Sequence, residues 1–121
     1  MNWTVLLVIF VIFVAYYTFS RSGLISVKKA RELLKEGALV IDVRSAGEYV
    51  AGHLPIAVNL PVNEIESSLS RRVKEKNRVL LVHCQSGMRS AEAKRKLIAL
   101  GCPNAFNLGS YARALRIVTG K

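Results

Sequence analysis

The sequence predicts an α/β fold, a small parallel sheet with helices on both faces, preceded by one apolar N-terminal helix. Short β-branched apolar runs alternate with segments of helical periodicity from about residue 26 onward. Strands that take turns with helices are typical of parallel sheets with crossover helices. The chain has 121 residues, 51% of them hydrophobic and 21% charged, which suits one domain with its own core and excludes a disordered chain.

The first element is an uncharged segment from Trp3 to Phe19. Its length is close to the lower limit for a helix that crosses a bilayer. Trp3 lies at one end, and Tyr16 and Tyr17 lie at the other, as in the aromatic belts at membrane interfaces. We therefore predict a transmembrane helix over residues 1–20 and a linker over residues 21–25, followed by a domain over residues 26–121.

The charges around this segment predict its orientation. No basic residue precedes it, whereas four follow closely: Arg21, Lys28, Lys29 and Arg31. The positive-inside rule then predicts a single-pass protein of the cell membrane with its domain facing the cytoplasm. A cleaved signal peptide, and hence export, is the alternative, although its usual basic start is absent and only Ser20 and Ser22 suit a cleavage site.

The first half of the domain has clear element boundaries. Ser26 suits a helix N-cap and Gly37 a helix stop, and Asn63 with Glu66 three residues later resembles a second helix start. The predicted elements are a helix over 26–36, a strand over 38–43, a short helix over 46–51, a strand over 57–60 and a helix over 63–73.

The second half contains the segment where chemistry is expected. We predict a buried strand over 79–83, a turn over 84–89, a helix over 90–100, a strand over 105–108 and a helix over 111–118. Ligands of open α/β sheets bind at the carboxyl ends of the strands. Cys84 occupies that place after the central strand.

The surroundings of Cys84 favour a reactive thiolate. A tight loop containing Gly87 leads into a helix, so backbone N–H groups and the helix dipole can stabilise a negative sulfur. Arg89 adds a positive charge, and such surroundings lower a cysteine pKa. A small buried apolar residue at a strand end is the other interpretation of Cys84.

Three segments resemble the rhodanese-like sulfurtransferase family. The loop His83–Ser90 resembles the active-site loop of that family, residues 42–61 resemble its upstream signature, and Asn107-Leu108-Gly109 resembles the segment that closes its active site. The resemblance covers about residues 24–119. Ile56 stands where the family usually has Gly, and Ser110 stands where a second Gly is common.

The resemblance implies a reaction and its participants. The Cys84 thiolate would take a sulfur atom from a sulfane donor, thiosulfate or a persulfide, and pass it to a thiol or cyanide acceptor. It implies no metal and no organic cofactor. It also implies a substrate-binding loop that consists of Gln85, Ser86, Gly87, Met88, Arg89 and Ser90.

Two other functions remain open. Cysteine-dependent phosphatases and arsenate reductases also place an Arg after a strand-end Cys, but their loop is longer than Gln85–Met88, and a smaller ring suits one sulfur atom better than a phosphoryl group. A non-catalytic or regulatory binding module of the same fold is the second alternative, because a fold does not fix a function.

The remaining polar residues are predicted to support the structure. Asp42 and Arg44 suit a buried ion pair with Glu48 as a further partner of Arg44, and His53 suits a hydrogen-bonding brace. Strand alternation places His83 on the opposite face from Cys84. Cys102 is either incidental or a resolving thiol for a persulfide.

The net charge is +10, from 18 Lys and Arg against 8 Asp and Glu. Basic residues near a bilayer attract anionic lipids, so we predict membrane lipid as a partner. Nucleic acid is not a predicted partner, because no aromatic residues alternate with these charges. The basic residues concerned are Arg71, Arg72, Lys74, Lys76, Arg78, Lys94, Arg95 and Lys96.

Overall fold

The computed structural model describes residues 2–21 and 23–120, with the backbone alone for residues 19–21. Met1, Ser22 and Lys121, which belong to the predicted anchor, linker and domain, lie outside the described residues. The predicted segment boundaries at residues 20 and 25 stay predictions.

Helices and strands alternate along the domain as the sequence predicts. The elements are α1 (Trp3–Arg21), α2 (Val27–Lys35), β1 (Leu39–Asp42), α3 (Ala46–Ala51), β2 (Ala57–Asn59), a 3₁₀ turn (Val62–Glu64), α4 (Ile65–Arg72), β3 (Leu80–His83), α5 (Met88–Ala99), β4 (Ala105–Gly109) and α6 (Tyr111–Thr119). Helix α5 begins at Met88, two residues before its predicted start, so Arg89 and Ser90 lie in its first turn.

The four strands form one parallel sheet in the order β2-β1-β3-β4. Because every strand runs in the same direction, their carboxyl ends meet at one edge of the sheet. Asp42 is opposite Asn59 on one side and His83 on the other, and His83 is opposite Gly109. This carboxyl edge therefore brings together the ends of all four strands.

Two apolar cores cover the two faces of the sheet. Ile41 and Val82 point to the face that α4 and α5 cover, whereas Val40 and Leu81 point to the face that α2 and α6 cover. All four side chains are almost inaccessible to solvent. The predicted parallel sheet with helices on both faces is confirmed.

The predicted helix starts have different outcomes. Ser26 is the N-cap of α2, and its Oγ accepts a hydrogen bond of 3.1 Å from the Lys29 N–H. The predicted cap at Asn63 is wrong. The Glu64 N–H donates to the Pro61 carbonyl at 2.8 Å, so Asn63 lies inside a 3₁₀ turn rather than at a helix end.

The N-terminal segment is helical as expected, and its side chains from residue 2 to residue 18 are exposed. Across residues 2–21 and 23–120, no helix combines the length and the apolar character needed to cross a membrane. The predicted transmembrane helix is therefore not supported.

Candidate active site around Cys84

Cys84 directly follows β3, at the carboxyl edge of the sheet. Its side chain belongs to the α4/α5 core and has no solvent-exposed surface. Its N–H donates to the Gly109 carbonyl at 3.2 Å, which fixes the start of the loop against the end of β4. The thiol is thus held between two strand ends.

The loop after Cys84 turns its backbone toward the sulfur. The Gly87 N–H donates a hydrogen bond of 2.9 Å to Cys84 Sγ, and Ser90 Oγ lies 3.5 Å from the same sulfur. Burial opposes ionisation of the thiol, but hydrogen bonds from the Ser90 hydroxyl and from the amides of Ser90, Gly87 and Ser86 outweigh it. The net result is a Cys84 pKa below its ordinary value.

Glycine is required at position 87 by backbone geometry. Gly87 has a φ of 100°, in the left-handed region that favours glycine, and it is the N-cap of α5. A Cβ at this position would stand 3.4 Å from the backbone of Gly109. This conformation directs the Gly87 N–H toward the sulfur, so the glycine contributes directly to the thiol environment.

Arg89 lies at the end of the loop and makes a bidentate ion pair with Glu48. Its Nη1 donates to Glu48 Oε1 at 2.6 Å and its Nη2 to Oε2 at 3.0 Å. The predicted pairing of Glu48 with Arg44 is wrong, because both carboxylate oxygens are directed at Arg89. The start of α5 at Met88 brings Arg89 to this position.

Asp42 and Arg44 form the expected buried ion pair at 2.7 Å. Arg44 also donates to the Gly52 carbonyl at 2.7 Å and to Gln85 Oε1 at 3.3 Å. Since Gln85 belongs to the Cys84 loop, this guanidinium connects the end of β1 to the loop. The side chain of Gln85 is thereby engaged within the protein.

Tyr111, at the start of α6, is a site residue that the sequence reasoning missed. The Arg44 guanidinium lies 4.9 Å from the centroid of the Tyr111 ring. The backbone N–H of Tyr111 donates to the Gln85 carbonyl at 3.2 Å. The ring also meets His83 edge-on, with centroids 5.8 Å apart. Its position after Asn107-Leu108-Gly109 is the only sequence signal for it.

Ser110 replaces a common glycine of the resembled family for a local reason. Its Oγ accepts a hydrogen bond of 3.1 Å from the Arg113 N–H, so it is the N-cap of α6. Ile56 occupies a turn without strain, since no non-glycine residue has a positive φ across the described ranges.

The two histidines, His53 and His83, contact groups other than the Cys84 sulfur. His53 Nδ1 is 2.7 Å from the Tyr49 carbonyl oxygen, and its ring stacks on Tyr49. His83 is fully buried on the α2/α6 face, with Nδ1 3.3 Å from the Cys84 carbonyl oxygen. Burial lowers the pKa of His83, which favours the neutral ring.

Cys102 lies at the opposite end of α5 from Cys84. It follows the helix, just before β4 begins, and is buried. The 12 residues of α5 span about 18 Å, whereas a disulfide requires Cα atoms within about 7 Å. Cys102 therefore cannot resolve a persulfide on Cys84 within the same chain.

A cavity of about 230 Å³ adjoins the outer side of the loop. The N-terminal helix contributes to its wall, and Tyr16 Oη donates to Met88 Sδ at 3.0 Å. The cavity is lined by Tyr17, Leu24, Ser86, Gly87, Met88, Gly109, Ser110 and Arg113. Of the predicted substrate-binding loop, Ser86, Gly87 and Ser90 hydrogen-bond to the thiol and Met88 lines this cavity, whereas Gln85 and Arg89 have partners within the protein.

Comparison with known proteins decides the family. A family model described as a rhodanese-like domain matches residues 26–113. The chain belongs to the rhodanese-like domain family. This rhodanese-like chain is 35% identical over 105 residues to the human thiosulfate:glutathione sulfurtransferase, covering 76% of this chain and 89% of that protein. It is 33% identical over 69 residues to the Escherichia coli thiosulfate sulfurtransferase PspE, covering 57% of this chain and 66% of that protein.

Solved structures of similar proteins support the same family assignment. The human single-domain sulfurtransferase TSTD1 superposes with a TM-score of 0.67 at 32% identity, covering 78% of this chain and 96% of that one. A rhodanese with anions from E. coli gives a TM-score of 0.60 at 30% identity, covering 64% of this chain and 91% of that one. The predicted rhodanese-like fold and the rhodanese-type transferase class are confirmed.

Proposed function

We propose that this protein transfers a sulfane sulfur from a donor such as thiosulfate to a thiophilic acceptor through a persulfide on Cys84. The observation that carries the proposal is the 2.9 Å hydrogen bond from the Gly87 N–H to Cys84 Sγ. An amide aimed at the sulfur stabilises the thiolate, which is the nucleophilic form of cysteine.

In the first half-reaction the Cys84 thiolate attacks the outer sulfur of thiosulfate. A bond forms between the two sulfur atoms, the sulfur–sulfur bond of the donor breaks, and sulfite leaves with the bonding electron pair. Cys84 then carries a persulfide anion. The loop amides that face the thiolate also face this anion, and Arg89 at the end of the loop binds the sulfonate oxygens of the donor.

In the second half-reaction the acceptor attacks the outer sulfur of the persulfide. Cyanide leaves as thiocyanate, whereas a thiol leaves as a persulfide, and the Cys84 thiolate is restored in both cases. The name of the human relative, thiosulfate:glutathione sulfurtransferase, supports a small thiol as acceptor. Because Cys84 has no exposed surface in this state, side chains around the loop must move to admit the donor.

Mass spectrometry after thiosulfate treatment tests this function. The full chain is expected to gain the mass of one sulfur atom, mapped to Cys84, and to lose it when cyanide is added. The Cys102→Ser variant is the matched control and should gain the same mass. Absence of any gain would contradict the proposal and favour a non-catalytic binding module.

Phosphatase activity is tested separately with an aryl phosphate. We expect no turnover, because the loop forms a small ring closed by the Gly87 hydrogen bond to Cys84 Sγ. Hydrolysis of the aryl phosphate that depends on Cys84, without sulfur loading, would favour the phosphatase alternative instead.

We further propose that the domain works at the cytoplasmic side of the cell membrane, with α1 in contact with lipid. The exposed apolar side chains of α1 and the basic residues that follow it support this location. The full chain is expected to sediment with vesicles that contain anionic lipid, whereas a variant lacking residues 2–21 stays in the supernatant.

Protease protection in cells tests the side of the membrane, and the N-terminal sequence of the mature protein tests cleavage. Retention of α1 with a domain shielded inside the cell supports the proposal. Loss of α1 together with export would support the signal-peptide alternative.

A further inference from the structure

The cation at the end of the Cys84 loop is already paired. Arg89 and Glu48 meet through hydrogen bonds of 2.6 Å and 3.0 Å, and their side chains are 37% and 36% exposed. A donor that binds Arg89 must therefore compete with the Glu48 carboxylate for the same guanidinium.

Glu48 is held in place by the start of α3. The Ser45 N–H and Oγ both donate to Glu48 Oε1 at 3.1 Å, as part of a capping box. Hydrogen bonds from Arg89 and then from Ser45 lower the pKa of Glu48 to about 2, so the carboxylate is charged at neutral pH. The backbone of α3 thus fixes a permanent negative charge beside the loop.

Two ion pairs lie beside the loop before any donor arrives. Asp42 pairs with Arg44, and Glu48 pairs with Arg89, so the two pairs leave the thiolate as an additional negative charge. Arg113 lines the cavity on the outer side of the loop, and its guanidinium donates to the carbonyls of Leu108 and Ile25. Repulsion from the Glu48 carboxylate is therefore greater for a donor with two negative charges than for a donor with one.

We propose that the charge of Glu48 shifts donor selectivity away from the thiosulfate dianion and toward sulfane donors with a single negative charge. This inference rests on the proposed sulfur transfer and names the donor class for the same site. Monoanionic thiosulfonates and organic persulfides belong to that class.

The chemistry is the same for either type of donor. The Cys84 thiolate attacks the outer sulfur of methanethiosulfonate, the sulfur–sulfur bond of the donor breaks, and methanesulfinate leaves with the electron pair. Two negative charges are present before and after this step. With thiosulfate there are three on each side, and sulfite leaves.

The test measures the second-order rate constant of sulfur loading with thiosulfate and with methanethiosulfonate. These donors transfer the same sulfur atom and differ by one unit of charge. Glu48→Gln removes the carboxylate charge but keeps an oxygen that can accept from Ser45, so the capping box is retained. Glu66→Gln is the matched control, because Glu66 forms an exposed ion pair with Lys96 on α5, away from the loop.

Coulomb energy is proportional to the charge of the donor. Glu48→Gln is therefore expected to raise the loading constant about threefold for methanethiosulfonate and about tenfold for thiosulfate. Glu66→Gln should leave both constants unchanged. Glu48→Asp keeps the charge and should keep the wild-type ratio, which gives a second measurement should Glu48→Gln fold poorly.

Three results would overturn the inference. An equal change for both donors, or slower loading by thiosulfate in Glu48→Gln, would show that Glu48 only positions Arg89. A changed ratio in Glu48→Asp would show that geometry rather than charge sets selectivity. If the wild-type protein loads no sulfur from either donor, it is the proposed function itself that fails.

Discussion

Two cysteines lie at opposite ends of α5, and their surroundings differ in one respect that decides their chemistry. Cys84 and Cys102 are both fully buried and belong to the same apolar core. Amide and hydroxyl groups face Cys84 and lower its pKa, whereas burial raises the pKa of Cys102. Burial alone therefore does not make a thiol inert or reactive; the hydrogen-bond donors around it do.

The largest expected effect separates the two thiols by function. Cys84→Ser should lower thiosulfate:cyanide transfer by at least about 10³-fold, because the nucleophile is lost. Cys102→Ser should keep wild-type turnover. Steady-state rates of thiocyanate formation measure both, and substantial activity in Cys84→Ser would refute the assignment of the nucleophile.

The second prediction concerns a variant that changes the conformation of the Cys84 loop but keeps the Cys84 thiol. Gly87→Ala should lower the free energy of unfolding by about 1–2 kcal/mol, since alanine is strained in the left-handed region. It should also slow sulfur loading, because the N–H that faces Cys84 Sγ shifts. Denaturant unfolding and loading rates measure the two effects.

Gly47→Ala is the control for that variant. Gly47 lies inside α3, and an added Cβ would meet nothing within 4 Å. Alanine favours a helix interior, so this change should be neutral or stabilise the protein by up to about 1 kcal/mol. Equal effects at positions 47 and 87 would contradict a special role for the loop conformation.

The third prediction concerns a variant that should reduce the difference in pKa between Cys84 and Cys102. Ser90→Ala removes a hydroxyl that lies 3.5 Å from Cys84 Sγ, so the Cys84 pKa should rise toward its ordinary value. Alkylation by iodoacetamide at neutral pH should slow about fivefold, the equivalent of one hydrogen bond. The rate is measured in the Cys102→Ser background, and an unchanged pH profile would exclude this role of Ser90.

The smallest effect concerns the ion pair beside the loop. The pKa of Glu48 is about 2 in the folded protein and 4.5 ordinarily. The folded state therefore binds fewer protons, and the stabilisation by this group is present above about pH 4.5 and lost as the pH falls toward 2. Unfolding of the wild type and Glu48→Gln should differ near neutral pH and converge in acid; a constant difference would contradict the linkage.

Local sequence patterns predicted most of the fold because the causes are local. Ser26 caps a helix wherever the following residues are helical, and alternation placed His83 and Cys84 on opposite faces of a strand. The predicted helix cap at Asn63 was wrong because Pro61 begins a tight 3₁₀ turn that competes with a regular helix start. The transmembrane prediction used the uncharged segment, its aromatic ends and the basic residues that follow, and the structure does not support it.

The partner of Glu48 could not be predicted from the residues near it in sequence. Glu48 is four residues from Arg44 but 41 from Arg89, so sequence spacing favoured the wrong arginine. Two crossovers of the parallel sheet bring α3 beside the start of α5. Tyr111 was missed for the same reason, because its contacts to Arg44 and His83 cross between strand ends.

The amino-acid sequence alone determines the order of strands and helices, the position of the cysteine at a strand end and the glycine in its loop. Backbone preference and apolar periodicity determine these features because they act over a few positions. Which charge pairs with which, and which thiol receives the hydrogen-bond donors, follows only from the folded chain. Those properties depend on distances of a few ångströms between segments far apart in sequence, and the packing of the sheet and its helices sets them.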